Sequence, residues 1–168
     1  MKSFSILATV LAAVASAGPI GKRAVFADTT FNDISISGGT AGNAQAEAEQ
    51  ALSGLPADLS TVEQADLDFL NSVNQVANDA EKEAFNPAIE AATGAEADSL
   101  QIGKIKNKVL KLTATIKKLE AQEAQGEDVA DKLAEEQTKL DNNIAQDEAE
   151  AGNASTNVEF DGAITAGN

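Results

Sequence analysis

The 168-residue chain has no cysteine, no histidine, no tryptophan, no tyrosine and one arginine, Arg23. Without cysteine there is no disulfide framework of the kind that staples small secreted domains, so packing alone must hold the fold. Without histidine, Ser-His-Asp and Cys-His catalysis are excluded, together with the usual zinc and copper sites and any imidazole switch near neutral pH. Carboxylates are what remain for chemistry. With 27 Asp and Glu along the chain, no two stand out as an acid and a base facing one substrate. No catalytic residue, cofactor site or metal site is assigned, and the expectation is a protein that is not an enzyme. Beyond the N-terminal segment the only aromatics are Phe26, Phe31, Phe69, Phe85 and Phe160. With no Trp or Tyr to stack against a sugar ring, core packing is the better reading of all five.

Long apolar runs are scarce too. The one that exists follows Met1-Lys2 and extends from Phe4 to Val14, and it ends in Ala15-Ser16-Ala17. A positively charged start, a short apolar stretch and small residues at the cleavage positions predict a signal peptide over residues 1–17, cut after Ala17. The run is too short for the roughly 20 apolar residues of a membrane span. Lys22-Arg23 then forms a dibasic pair behind Gly18-Pro19, which predicts a short propeptide over 18–23 and a mature chain from Ala24. The expected location is extracellular.

Positive charge is the next deficit. Twelve Lys and Arg stand against the 27 acids, for a formal charge of −15. Loss of Lys2, Lys22 and Arg23 makes it −18, because residues 1–23 hold no acid. Such a polyanion repels nucleic acid and anionic membrane, so neither is an expected partner. At 145 residues the mature chain suits one domain with a modest core.

What is abundant is helix-forming sequence. Residues 24–43 read as an extended N-terminal segment, in which Ile34 and Ile36 alternate with Ser35 and Ser37 before Gly38-Gly39, and 153–168 as a C-terminal tail. Val158 and Phe160 alternate in that tail and suit pairing with the first segment. Between them lies a helical bundle over 44–152. A short helix from about Ala44 to Leu52 stops at Gly54 and Pro56. Ser60-Thr61-Val62-Glu63 reads as a capping box opening a long helix with the face Val62, Phe69, Val73, Val76 and Ala80, which Asn86-Pro87 breaks or kinks before Ile89 continues it. Thr93-Gly94-Ala95-Glu96 reads as a second box. Behind it, Ile102, Ile105, Val109, Leu112, Ile116 and Leu119 are spaced 3, 4, 3, 4, 3 and make one stripe of a helix, widened by Leu100 and Leu110. Gly126 stops it, and a last helix from about Asp128 to Ala151 offers Val129, Leu133, Leu140 and Ile144. The expected fold is mainly α: a small helical bundle with a long antiparallel helical hairpin and short extended segments near both ends of the mature chain.

Four features invite a functional reading. Lys104, Lys111 and Lys118 form one row on the heptad. They are either a docking strip for an anionic partner or, the blander alternative, a charge match to the acids of the last helix. Asp141, Asn142, Asn143, Asp147 and Glu148 could hold calcium weakly, but they lack the spacing of a calcium loop and are better taken as a solvated face. Ser37-Gly38-Gly39-Thr40-Ala41-Gly42 precedes a helix without the Gly-Lys-Ser/Thr of a phosphate loop and reads as a flexible turn. Asn153-Ala154-Ser155 is an N-glycosylation sequon in the tail.

The segments Phe26-Ala27-Asp28-Thr29-Thr30-Phe31, Ile34 through Ala44, Val76 through Glu81, Gly103 through Thr113 and Glu135 through Leu140 resemble a group of ascomycete small secreted proteins of unknown function. The resemblance spans essentially the whole mature chain. It implies export from a filamentous fungus and a candidate effector, and it brings no catalytic motif and no ligand. The leading expectation is a non-enzymatic effector- or elicitor-like protein binding an unidentified host or cell-surface protein. The alternative is a surface-active helical protein holding lipid or another apolar ligand.

Overall fold

The stripe from Ile102 to Leu119 lies in a 30-residue helix, Ala95–Ala124, about 45 Å long, and all six of its side chains are buried. The computed structural model describes residues 24–167. Ala17, Lys22 and Arg23, and with them the expected signal peptide and processing site, lie outside the described residues. In chain order the elements are β1 (Thr29–Thr30), α1 (Phe31–Ile34), β2 (Gly39–Thr40), α2 (Ala44–Ala51), a 3-10 turn (Leu59–Thr61), α3 (Gln64–Ala80), a π-helical turn (Glu81–Phe85), α4 (Asn86–Ala91), α5 (Ala95–Ala124), α6 (Ala130–Ala149), β3 (Ala154–Ser155) and β4 (Ala163–Ile164).

Helix α5 is the axis. Leu100, Leu110, Ala114 and Ala121 are buried beside the heptad stripe, as are the polar Lys106, Asn107 and Thr113. Burial therefore runs around most of its circumference, and α2, α3 and α6 pack on different sides of it. The core joins α5 to Phe69, Leu70, Val73 and Ala77 of α3, Ala44 and Ala48 of α2, and Leu140 of α6. Val62, Leu67 and Ala121 close a smaller cluster at one end. Inside this apolar contact Asn107 Nδ2 donates to Ala77 O at 2.8 Å, a cross-helix bond that fixes the register of α3 on α5.

The hairpin turns at Gly126, whose φ of +94° suits the residue just past a helix. Glu127 N–H donates to Gln122 O and Gly126 N–H to Glu123 O, so two carbonyls at the end of α5 are satisfied by the turn itself. The 20 residues of α6 span about 30 Å, a shorter arm than its partner.

Several helix boundaries differ from the sequence reading. Neither capping box forms. The Asp58 carboxylate accepts from both the N–H and the hydroxyl of Ser60, making the separate 3-10 turn, and α3 starts only at Gln64. Gly94 takes the N-cap position of α5 with no side-chain cap. Pro87 does not break the chain's helical path. The π turn just before it absorbs an extra residue, and Pro87 then sits in the first turn of α4, where its missing N–H costs nothing.

The chain ends pair, but through other residues than expected. Thr29 and Thr30 face Ile164 and Ala163, and Gly39 and Thr40 face Ser155 and Ala154, both antiparallel. Ile34 closes the short helix α1 instead of a strand, because the Asp33 carboxylate accepts from the N–H and hydroxyl of Thr30 and winds the turn. Val158 and Phe160 are in no strand. Phe160 packs edge-on against Phe31, with centroids 6.0 Å apart.

Gly103 lets the returning tail cross α5. A Cβ there would stand 2.0 Å from the carbonyl oxygen of Thr156, whose N–H donates to Ser99 O at 3.0 Å. Ala ordinarily improves a helix by about 1 kcal/mol over Gly. Here Gly103→Ala is expected to destabilise by about 1–3 kcal/mol through overpacking. Thermal melting followed by circular dichroism is the check, and an unchanged or higher midpoint would show that the tail does not press on α5.

Candidate functional site

Helix α5 carries lysines on two opposite sides, and the structure assigns each a neighbour. Lys104 Nζ donates to Asn86 Oδ1 at 3.2 Å, Lys111 pairs with Glu81 at 2.9 Å, and Lys118 Nζ donates to Asn71 Oδ1 at 2.8 Å. The expected row is thus turned toward α3, the π turn and α4. Lys108 also reaches Glu81, at 3.2 Å, and Lys117 reaches Glu49 of α2. The charge match expected with the last helix goes elsewhere: the acids that pair with α5 come from α2 and the π turn. Burial works to raise the Glu81 pKa, but hydrogen bonds and attraction from Lys111 and Lys108 outweigh it and hold the carboxyl below its ordinary value.

Lys106 is the one fully buried lysine among the described residues. Its ammonium donates to Gly38 O at 2.8 Å and Thr40 O at 3.1 Å and pairs with Glu47 of α2 at 2.8 Å. The glycine-rich segment 37–42 is therefore tied down around an internal cation. From the other side Asp147 Oδ2 accepts from Gly42 N–H and Ala44 N–H, both at 2.9 Å, and so caps α2. Asp147 is 2 % exposed, which removes it from the solvated face assigned to it. The helix N-terminus is filled by the protein's own carboxylate. Asp141 and Glu148 remain exposed, and among the described residues no three acidic side chains converge in a way that would hold a metal.

Asn153 is exposed and donates to Glu150 Oε2 at 2.7 Å. Ser155 of the same sequon is buried, with its hydroxyl donated to Ser37 O. Glycosylation at Asn153 would thus need the sequon before β2 and β3 pair. A cleft of about 580 Å³ lies beside it, between the start of α5 and the end of α6, lined by Ser99, Ile102, Ile105 and Glu150.

The most organised polar surface lies between α3 and α6, over α5, and each helix contributes a row at helical spacing. From α3 come Asn71, Asn74 and Asn78; from α5 come Lys108, Lys111, Thr115 and Lys118; from α6 come Lys132, Glu136, Lys139 and Asn143. They line two adjoining cavities of about 180 and 360 Å³ that share Asn74 and Glu136. Five lysines meet two carboxylates, Glu81 and Glu136, so this groove has the opposite sign to the molecule as a whole. The asparagine row is the part that sequence reading missed, although its 3, 4 spacing is visible. Lys111 and Lys118 of the expected strip lie in the groove; Lys104 does not line it.

No helix among the described residues is long and apolar enough to cross a membrane. No curated protein and no solved structure matches the chain. A family described as a domain of unknown function (DUF8454) matches residues 26–159, from the start of the N-terminal segment through the tail that crosses Gly103. The chain belongs to that family.

Proposed function

We propose that this is an exported protein of a filamentous fungus that acts without catalysis at the host or cell-surface interface, as an effector- or elicitor-like binder. The observation that supports it most is the groove between α3 and α6, where three independent polar rows present amides and ammonium groups to solvent in an otherwise acidic protein. Rigid helices hold these groups in place, as a binding surface requires. Export is supported by the N-terminal sequence pattern, and the absence of histidine and cysteine leaves few groups suited to covalent or acid–base work. The apolar-ligand alternative has less behind it. All six residues of the α5 stripe are buried, Val109, Leu112 and Ile116 in the core shared with α2, α3 and α6, and Val25 is the one large hydrophobic that is exposed among the described residues.

Secretion and action are tested together. The full chain, expressed in a filamentous fungus, is expected in the medium with Ala24 as its first residue by N-terminal sequencing. Applied to plant tissue, it is expected to change immune marker output. Retention inside the cells with Met1 intact would overturn export, and no response across several hosts would overturn the effector reading.

A further inference from the structure

Two lysines stand together at one end of the groove. Lys118 and Lys132 line the smaller cavity together, and among the described residues neither forms an ion pair. Half-buried Lys118 has only the neutral Asn71 oxygen as an acceptor. The one carboxylate of this cavity, Glu136, is engaged by Lys139 at 3.0 Å. Burial and then repulsion from Lys132 depress the Lys118 pKa, with Glu127 and Asp68 acting more weakly in the opposite sense. Two ammonium groups sharing a cavity oppose each other in the free protein, and an anion placed between them removes that opposition.

The surroundings narrow the anion. Asn74 and Thr115, joined by a 2.7 Å hydrogen bond, stand beside the lysines. The asparagine row continues into the larger cavity. Amides both donate and accept, as hydroxyl groups do. We propose that the Lys118–Lys132 end of the groove binds the carboxylate or phosphate of an anionic sugar, whose hydroxyls lie along the asparagine row. Stacking on an aromatic ring is absent here, so charge and hydrogen bonds carry the recognition, and the binding is salt-sensitive. A long polyanion such as nucleic acid is disfavoured by the surrounding negative charge. The proposal names the ligand class for the binding activity proposed above, and in that sense rests on it.

The test is an NMR titration of the nitrogen-labelled full chain with trigalacturonate and with glucose phosphate, set against neutral maltotriose and inorganic phosphate. Saturable shifts are expected for at least one anionic sugar around residues 71–74, 115–118 and 132–136. The response should collapse in about 1 M salt, where the Debye length is ~3 Å. Lys118→Gln with Lys132→Gln is expected to weaken binding at least about tenfold, the loss of a charge-assisted contact. Lys132→Gln alone, at an exposed position that leaves packing untouched, should weaken it about threefold or more. Trigalacturonate alone binding assigns a carboxylate, glucose phosphate alone a phosphate. No saturable response to either, shifts centred outside the groove, or undiminished affinity in a folded variant would overturn the proposal, as would inorganic phosphate or maltotriose binding as tightly as the sugars. A chain that binds the sugar but leaves tissue unresponsive would sink the effector reading and leave the groove standing. A chain that alters tissue response but binds neither sugar would do the reverse.

Discussion

Replacing Lys106 by methionine is expected to lower the stability of the fold by about 2–4 kcal/mol. The methionine can fill most of the stem's volume, so the loss isolates the ammonium group. Gly38 O and Thr40 O lose their donor, and Glu47 loses its cation. Glu47 is 38 % exposed, so water takes over part of its solvation, and the expected cost lies below that of a fully buried orphan charge. Urea unfolding of the variant against the parent gives the number. The double variant Lys106→Met with Glu47→Gln should recover part of the loss, since it removes the stranded charge while the two carbonyls stay without their donor. A single variant within about 0.5 kcal/mol of the parent would show that the ammonium does not organise the 37–42 segment.

Phe31→Ala should cost more, about 3–5 kcal/mol. Phe31 is fully buried, meets Phe160 edge-on, and its N–H donates to Gly162 O at 2.8 Å. Removing the ring opens a cavity where the N-terminal segment and the tail meet. In a cysteine-free chain of this size the whole stability is of order 5–15 kcal/mol, so the melting midpoint should fall by well over ten degrees or folding should fail at 37 °C. Phe31→Leu keeps most of the volume and should fold with a smaller loss. In that variant, amide exchange should speed up first around residues 160–164. Equal protection there in parent and variant would mean that the ring does not hold the tail.

The interior of the bundle is legible in the sequence because one helix does most of the packing. Six aliphatics at heptad spacing admit only one face, and Gly126 ends that helix with no competing signal. The short elements are harder, for local reasons. Ile34 and Ile36 alternate over too few residues to separate a strand from one helical turn, and Asp33 reaching back to Thr30 decides the matter. Ser60 looks like a cap for the residues after it, yet Asp58 two positions earlier captures it. The ionic interior is invisible from the heptad, because Lys106 lies off the row of Lys104, Lys111 and Lys118 and meets segments about 60 residues away in sequence. Asp66 is similar, since it is buried and accepts from Val25 N–H and Phe26 N–H, about 40 residues away, at 2.8 and 3.0 Å. Each row of the groove can be read on its own helix. Their convergence depends on how α3 and α6 lie against α5, and spacing within a helix carries no information about that.

The antiparallel pairing of Thr29 with Ile164 and of Gly39 with Ser155 brings the two ends of the described residues together. Contacts between residues so far apart in the chain are expected to form after the local helices, because the loop they close takes in nearly all of the described residues. A ribosome must therefore release the chain through Ile164 before Thr29 finds its partner. Linking Ala24 to Gly167 with a short bridge and opening the backbone at Gly126 should give a circularly permuted protein that folds to the same bundle.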